Sequence, residues 1–149
     1  MKDRAEPPQI DLIADGIADP RNLPALLALA DLLHCRCLFR DRHDLRGQLA
    51  DTPYAGRLTE APPLEQFPEH YDLLLAVENH EQARSIYEYR PPRGKRLAMA
   101  VGNERKGLDR KVSRLADVML EVPMRPQHGI SLNVAGAAAA ALYQLLHAG

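Results

Sequence analysis

Apolar positions along the chain fall into two rhythms, and the alternation between them outlines the fold. The run Ile10–Ile17, rich in Ile and Leu, stops at Asp19-Pro20 and predicts a first strand, because proline blocks a strand and suits the opening of a helix. From Asn22 to His34 the apolar residues Leu23, Leu26, Leu27, Leu29, Ala30 and Leu33 recur at three- and four-residue steps, which predicts an amphipathic helix capped by Asp19 or Asn22. Cys35–Phe39 reads as a second buried strand. Residues 43–68, with Pro53, Gly56, Pro62, Pro63 and Pro68, predict a short helix near Asp44–Ala50 and irregular chain after it. Further on come a strand at Tyr71–Val77, a helix at His80–Tyr89, a strand at Leu97–Val101 running into Gly102, and a helix at Asp109–Ala116. A strand at Val118–Val122 stopped by Pro123 and a closing helix at Leu132–Leu146 complete the series. Strands alternating with helices imply an α/β fold, a mostly parallel sheet with helices on both faces.

Composition narrows the class. With 149 residues, 46% apolar and 26% charged, the chain is expected to form one domain over 1–149, and disordered, collagen-like and coiled-coil classes are excluded. No apolar stretch approaches the ~20 residues of a membrane span. The polar start, Met1 to Pro8, lacks the apolar centre of a signal peptide, so a cytoplasmic protein is expected. Cys35 and Cys37 are too close along an extended segment to pair without distortion, and no further ligands at suitable spacing accompany them. Reduced thiols and no metal are expected. The net charge of −1 conceals a segregation: residues 90–114 hold nine Lys/Arg against Glu104 and Asp109, a net of +7, leaving −8 elsewhere. Such a stretch reads either as solvated faces or as a surface that contacts phosphates.

Two loops that follow late strands carry the candidate chemistry. They are Gly102–Leu108 and Pro123–Asn133, and in a parallel sheet ligands gather outside the carboxyl ends of strands. Glycines 102, 107 and 129 allow positive φ or close approach of main chain to a ligand, while Ser131 and Asn133 stand at the mouth of the last helix. Each has an ordinary alternative: Gly102 turning a strand, Ser131 capping a helix, Glu104 balancing Arg105 and Lys106.

Together these segments match a pattern. VGNERKGL (Val101–Leu108) and VPMRPQHGISLNVAGAAAAALY (Val122–Tyr143) resemble the second and third motifs of the SpoU/TrmH branch of the SPOUT methyltransferases, and DPRNLPALLALA (Asp19–Ala30) resembles the first. Proteins of this branch are RNA ribose 2'-O-methyltransferases. The resemblance implies a C-terminal deep trefoil knot and S-adenosylmethionine held against the knotted loops, largely by main-chain groups. The matching positions are Ala76, Gly102, Val122, Met124, Ile130, Ser131 and Leu132. Asn22, Glu104, Ser131 and Asn133 match the positions that would organise the catalytic site. Arg21, Arg105, Lys106 and Arg125 would meet RNA, and His128 lies within the third motif. A homodimer acting on tRNA or rRNA is implied, and the small-residue run Ala135–Ala141 beside the apolar face of Asn22–Leu33 suits such an association.

One departure stands out. The family's first motif carries an arginine six residues after its asparagine, proposed to activate the hydroxyl; here that residue is Ala28, and the glycine before it is Pro24. A methyl cannot replace a guanidinium. Either another cation such as Arg21 or Arg125 reaches in, or the chain is a catalytically degenerate relative that binds cofactor or RNA without methyl transfer. A different methyl acceptor is a third reading.

Overall fold

The computed structural model describes residues 7–124 and 133–148. Seven strands form a single sheet: β1 (Gln9–Asp15), β2 (Cys37–Arg40), β3 (Thr59–Glu60), β4 (Leu73–Val77), β5 (Arg84–Ser85), β6 (Arg96–Val101) and β7 (Val118–Glu121). Their order is β3-β2-β1-β6-β4-β7-β5, and every pairing is parallel. Among the described residues five α-helices accompany them: α1 (Leu23–Leu32), α2 (Leu45–Gln48), α3 (Phe67–His70), α4 (Arg110–Leu115) and α5 (Val134–His147).

Strand alternation sorts the core into two layers. Leu97, Met99 and Val101 of β6, with Leu75 and Val77 of β4, face α1 and α5; Ala98 and Ala100, with Leu74 and Ala76, face α3 and α4. Larger side chains thus lie under the two long helices, where Leu26, Ala138, Ala141 and Leu142 meet them, and alanines lie under the short ones. The expectation of a parallel sheet with helices on both faces holds.

Local boundaries follow identifiable chemistry. Gly16, at φ +69°, ends β1 in the left-handed region that side chains avoid. Asp19 caps a single 3-10 turn, Pro20–Asn22, by accepting from Arg21 N at 2.9 Å, and α1 starts after it. Asp109 caps α4 through Lys111 N, and Asn133 caps α5 through Gly136 N at 2.7 Å. Burial pushes the Cys35 thiol up to about 11, with Asp11 adding to the effect, and the Cys37 thiol up to about 12. Both cysteines are free.

Two expectations need correction, and a third feature is divided by the fold. Residues 80–89 form no helix: turns surround the two-residue strand β5, which pairs with β7. Here Ser85 Oγ accepts from Tyr87 N and His80 Nδ1 from Gln82 N, local bonds that compete with helical ones. The region after α2 is less irregular than expected, since it contributes β3 and α3. Finally, the basic stretch 90–114 is no continuous surface. β6 runs through it and carries Arg90, Arg93, Lys95 and Arg96 to the amino end of the sheet, while Arg105, Lys106, Arg110, Lys111 and Arg114 follow its carboxyl end, roughly 17 Å away.

Candidate active site

At the carboxyl ends of β4, β6 and β7 the chain leaves a cleft of about 380 Å³, within the ~300–1,000 Å³ typical of small-ligand sites. Its walls come from Val77, Glu78 and Asn79 after β4, Val101 to Glu104 and Gly107 after β6, Val122 and Met124 after β7, and Asn133, Val134 and Ala137 at the start of α5. The lining pairs valines and an alanine with two carboxylates and three amides, which suits a flat apolar moiety joined to a polar, positively charged one.

The loop after β6 is fitted to the backbone around it. A Cβ on Gly102 would overlap the Gly107 carbonyl carbon and Leu108 N, so any side chain there would displace the returning strand of the loop. Gly107, at φ +71°, is left-handed, and a Cβ there would meet Glu78 Oε1. Asn103 and Gly107 exchange main-chain hydrogen bonds of 2.9 and 3.0 Å, closing the loop on itself. Asn103 Oδ1 then accepts from Arg105 N and Lys106 N, and its Nδ2 donates to Gly16 O at 2.8 Å. Glu78 Oε1 accepts from Leu108 N at 3.1 Å.

Glu104 joins this loop to the start of α1. Its carboxylate accepts from Ala18 N at 3.1 Å, Asp19 N at 3.2 Å and Asn22 Nδ2 at 2.9 Å. Asn22 makes no side-chain cap on α1; its amide is turned toward Glu104 instead. Burial raises the Glu104 carboxyl, yet the bonds from its own N–H, Ala18, Asn22 and Asp19 outweigh that and hold it below the ordinary glutamate range. It is therefore ionised at neutral pH, a firm acceptor and a weak proton abstractor.

Behind the loop lies a charge network. Asp15, 1% exposed, pairs with Arg40 at 2.5 Å and accepts from Asp109 N at 2.9 Å. Asp109 in turn meets Arg42 at 3.2 Å and Arg40 at 3.5 Å. Burial raises the Asp109 carboxyl, but Lys111 N and the two guanidiniums prevail and lower it.

The expected site residues divide as follows. Gly102, Glu104, Val122, Met124 and Asn133 line the cleft, and Asn22 stands behind Glu104. Ala76 does not line it: its side chain lies in the core layer under α3 and α4, and Val77 forms the wall at that strand end. Arg21 is exposed on the surface in a fork with Asp19 at 2.7 Å and does not line this cleft. Arg105 and Lys106 border a neighbouring cavity instead. Arg125, His128, Ile130, Ser131 and Leu132 lie outside the described residues. Sequence reasoning missed Glu78, Asn79 and Asn103; an acid and an amide directly after the buried run Leu73–Val77 were the available signal.

Comparison with known proteins agrees with this arrangement. The chain matches, over residues 9–143, the sequence model of the SpoU rRNA Methylase family. It is 30% identical over 153 aligned positions to the 23S rRNA (guanosine-2'-O-)-methyltransferase RlmB of Bordetella pertussis, covering 95% of this chain and 61% of that protein, so it spans about three fifths of that relative. The fold is shared with a probable methyltransferase from Bordetella pertussis Tohama I (TM-score 0.74, 20% identity, 94% of this chain and 93% of that one). It is also shared with the SpoU methyltransferase AviRb from Streptomyces viridochromogenes in complex with the cofactor AdoMet (TM-score 0.68, 20% identity, 95% and 57%). With a match across nine tenths of its length, a parallel sheet of the same fold and a glycine-built cleft at the strand ends, the chain belongs to the SpoU rRNA methylase family.

Proposed function

We propose that the chain is an S-adenosylmethionine-dependent RNA ribose 2'-O-methyltransferase. The observation that carries this reading is the clasp of Glu104 with Asn22, Ala18 and Asp19 at the edge of the glycine-built cleft. It joins the first and second motif segments at one point. The cleft fits the donor: valines for an adenine, main chain brought close by Gly102 and Gly107, and the carboxylates of Glu78 and Glu104 for a sulfonium charge. When bound there, the donor supplies an electrophilic methyl group.

The protein's part is mainly positioning. Gly102, Val122, Met124 and residues 130–132 would hold the donor, beside Asn133, which caps α5. Glu104 sets the turn 18–22, and with Asn22 and Ser131 it orients the ribose hydroxyl. Because Glu104 is held below its ordinary pKa, its role is acceptor and anchor, and the hydroxyl proton leaves to another base or to water. Either RNA of the family's naming, tRNA or rRNA, serves as acceptor. The resemblance further supports a C-terminal deep trefoil knot, and a cytoplasmic location suits an RNA-modifying activity. Among the described residues no helix is long and apolar enough to cross a membrane. A homodimer is supported by Leu32 and Tyr143, 76% and 56% exposed, on the paired helices α1 and α5.

Purified chain with labelled S-adenosylmethionine and RNA from a strain lacking the gene tests this. Ribose-methylated nucleotides are expected; donor binding by calorimetry without transfer to any RNA overturns the enzymatic reading. That second outcome is the degenerate relative, which the exposed Ala28 methyl on α1 favours.

A further inference from the structure

Beside the donor cleft, and sharing Asn103 and Glu104 with it, lies a second cavity of about 380 Å³ bordered by Ala18, Asp19, His43, Arg105 and Lys106. A third, of about 220 Å³, continues from it past His43, Asn103 and Lys106 to Gly16 and Asp109. Most charges along this trench are matched. Asp19 is paired with Arg21, Asp15 with Arg40, and Asp109 with both Arg40 and Arg42. Glu104 is surrounded by N–H donors. Among the described residues, the side chains of His43, Arg105 and Lys106 have no hydrogen bond or ion pair.

Their anchorage is nevertheless firm. Asn103 Oδ1 accepts from the main-chain N–H of both Arg105 and Lys106, at 2.9 and 3.0 Å. Across the trench, Asp41 accepts from Leu45 N and Arg46 N, Gln48 Nε2 donates to His43 O, and Asp44 accepts from Gly47 N, so the backbone on both sides of His43 is fixed. The Arg105 guanidinium and Lys106 ammonium on one side and the His43 imidazole on the other, all unmatched and on fixed backbone, line a cavity that opens onto Glu104 and form a preorganised anion site. The α1 position where the family carries its arginine holds Ala28, which borders neither cavity.

We propose that this trench seats the RNA phosphodiester next to the acceptor ribose, with His43 and Lys106 as its two principal contacts and Arg105 at the outer edge. The cation missing from α1 is thereby supplied by Lys106 and Arg105 of the loop after β6, with the His43 ring of the loop after β2 as a further hydrogen-bonding contact. This rests on the methyltransferase reading and adds to it a binding residue, His43, in a different element. His43 and Lys106 are positioning residues for the acceptor; neither borders the donor cleft.

The test uses the full chain, fluorescein-labelled unfractionated tRNA and 23S rRNA, and S-adenosylhomocysteine. Lys106→Ala should reduce the slope of log affinity against log salt by about 0.7–0.9, one phosphate contact. The double variant His43→Ala/Lys106→Ala should bind RNA at least about tenfold more weakly. His43→Arg should keep the RNA affinity that His43→Ala loses, and Lys95→Ala, at the far end of β6, should leave binding unchanged. Unaltered S-adenosylhomocysteine binding certifies each variant's fold. Wild-type RNA affinity and salt slope in the double variant, or an equal loss in Lys95→Ala, overturns the trench while leaving the methyltransferase reading intact. A wild-type chain that binds neither RNA nor S-adenosylhomocysteine overturns both.

Discussion

Single residues set the cleft's shape, and their replacement has calculable consequences. Gly102→Ala places a methyl against the Gly107–Leu108 peptide; overpacking of this kind costs ~1–3 kcal/mol, so a lower melting temperature together with weaker S-adenosylhomocysteine binding is expected by calorimetry. Asn133→Ala removes a helix cap, at about 1 kcal/mol, and should weaken donor binding as well, since the capped turn borders the cleft. Glu104 yields a pH signature. Its folded pKa lies below the unfolded one, so its contribution to stability is complete above the ordinary glutamate range and fades as pH falls through the lowered value. The melting difference between wild type and Glu104→Gln should therefore be largest near neutrality and shrink on acidification; a constant difference would count against the clasp. Asn22, Gly102 and Glu104 were legible in the sequence because each lay in a motif. Glu78 and His43 were not, and Asn103, though inside the second motif, showed nothing of its part in closing the loop. Their roles depend on which loops meet above the sheet, and that is set by strand order rather than by neighbours in sequence.

Elements show the same division. α1, α4 and α5 were legible from three- and four-residue spacing and flanking caps, and β4 and β6 from short apolar runs. The 80–89 segment misled because its helical spacing is overridden: Arg84–Ser85 pairs with β7, and Ile86, 1% exposed, is anchored by its N–H to Glu121 O at 2.9 Å. The charged stretch 90–114 is divided in space, since a strand separates what the sequence writes side by side. Between elements, the Asp15–Arg40 pair ties β1 to β2 and, through Asp109, to α4. Asp15→Ala leaves Arg40 part-buried with only Asp109, at 3.5 Å, to answer it. A loss of about 3 kcal/mol in urea unfolding is expected, the lower end for a broken buried pair.

Over the whole molecule, a doubly covered sheet opens its cleft at the carboxyl ends of its central strands and leaves Leu32 and Tyr143 exposed on α1 and α5. On the proposed homodimer, Leu32→Asp with Tyr143→Asp should shift sedimentation toward the monomer with little change in the monomer's fold, because both side chains are exposed. The strand order also makes the Glu104 clasp a long-range tie: it joins residues 85 and 86 positions apart along the chain, at a turn otherwise open to water. The amides of Ala18 and Asp19 should consequently resist deuterium despite their exposed setting, and lose that resistance together once the carboxylate is removed. A stretch of surface backbone thus becomes a clock for the opening of the loop after β6, readable without donor, RNA or turnover.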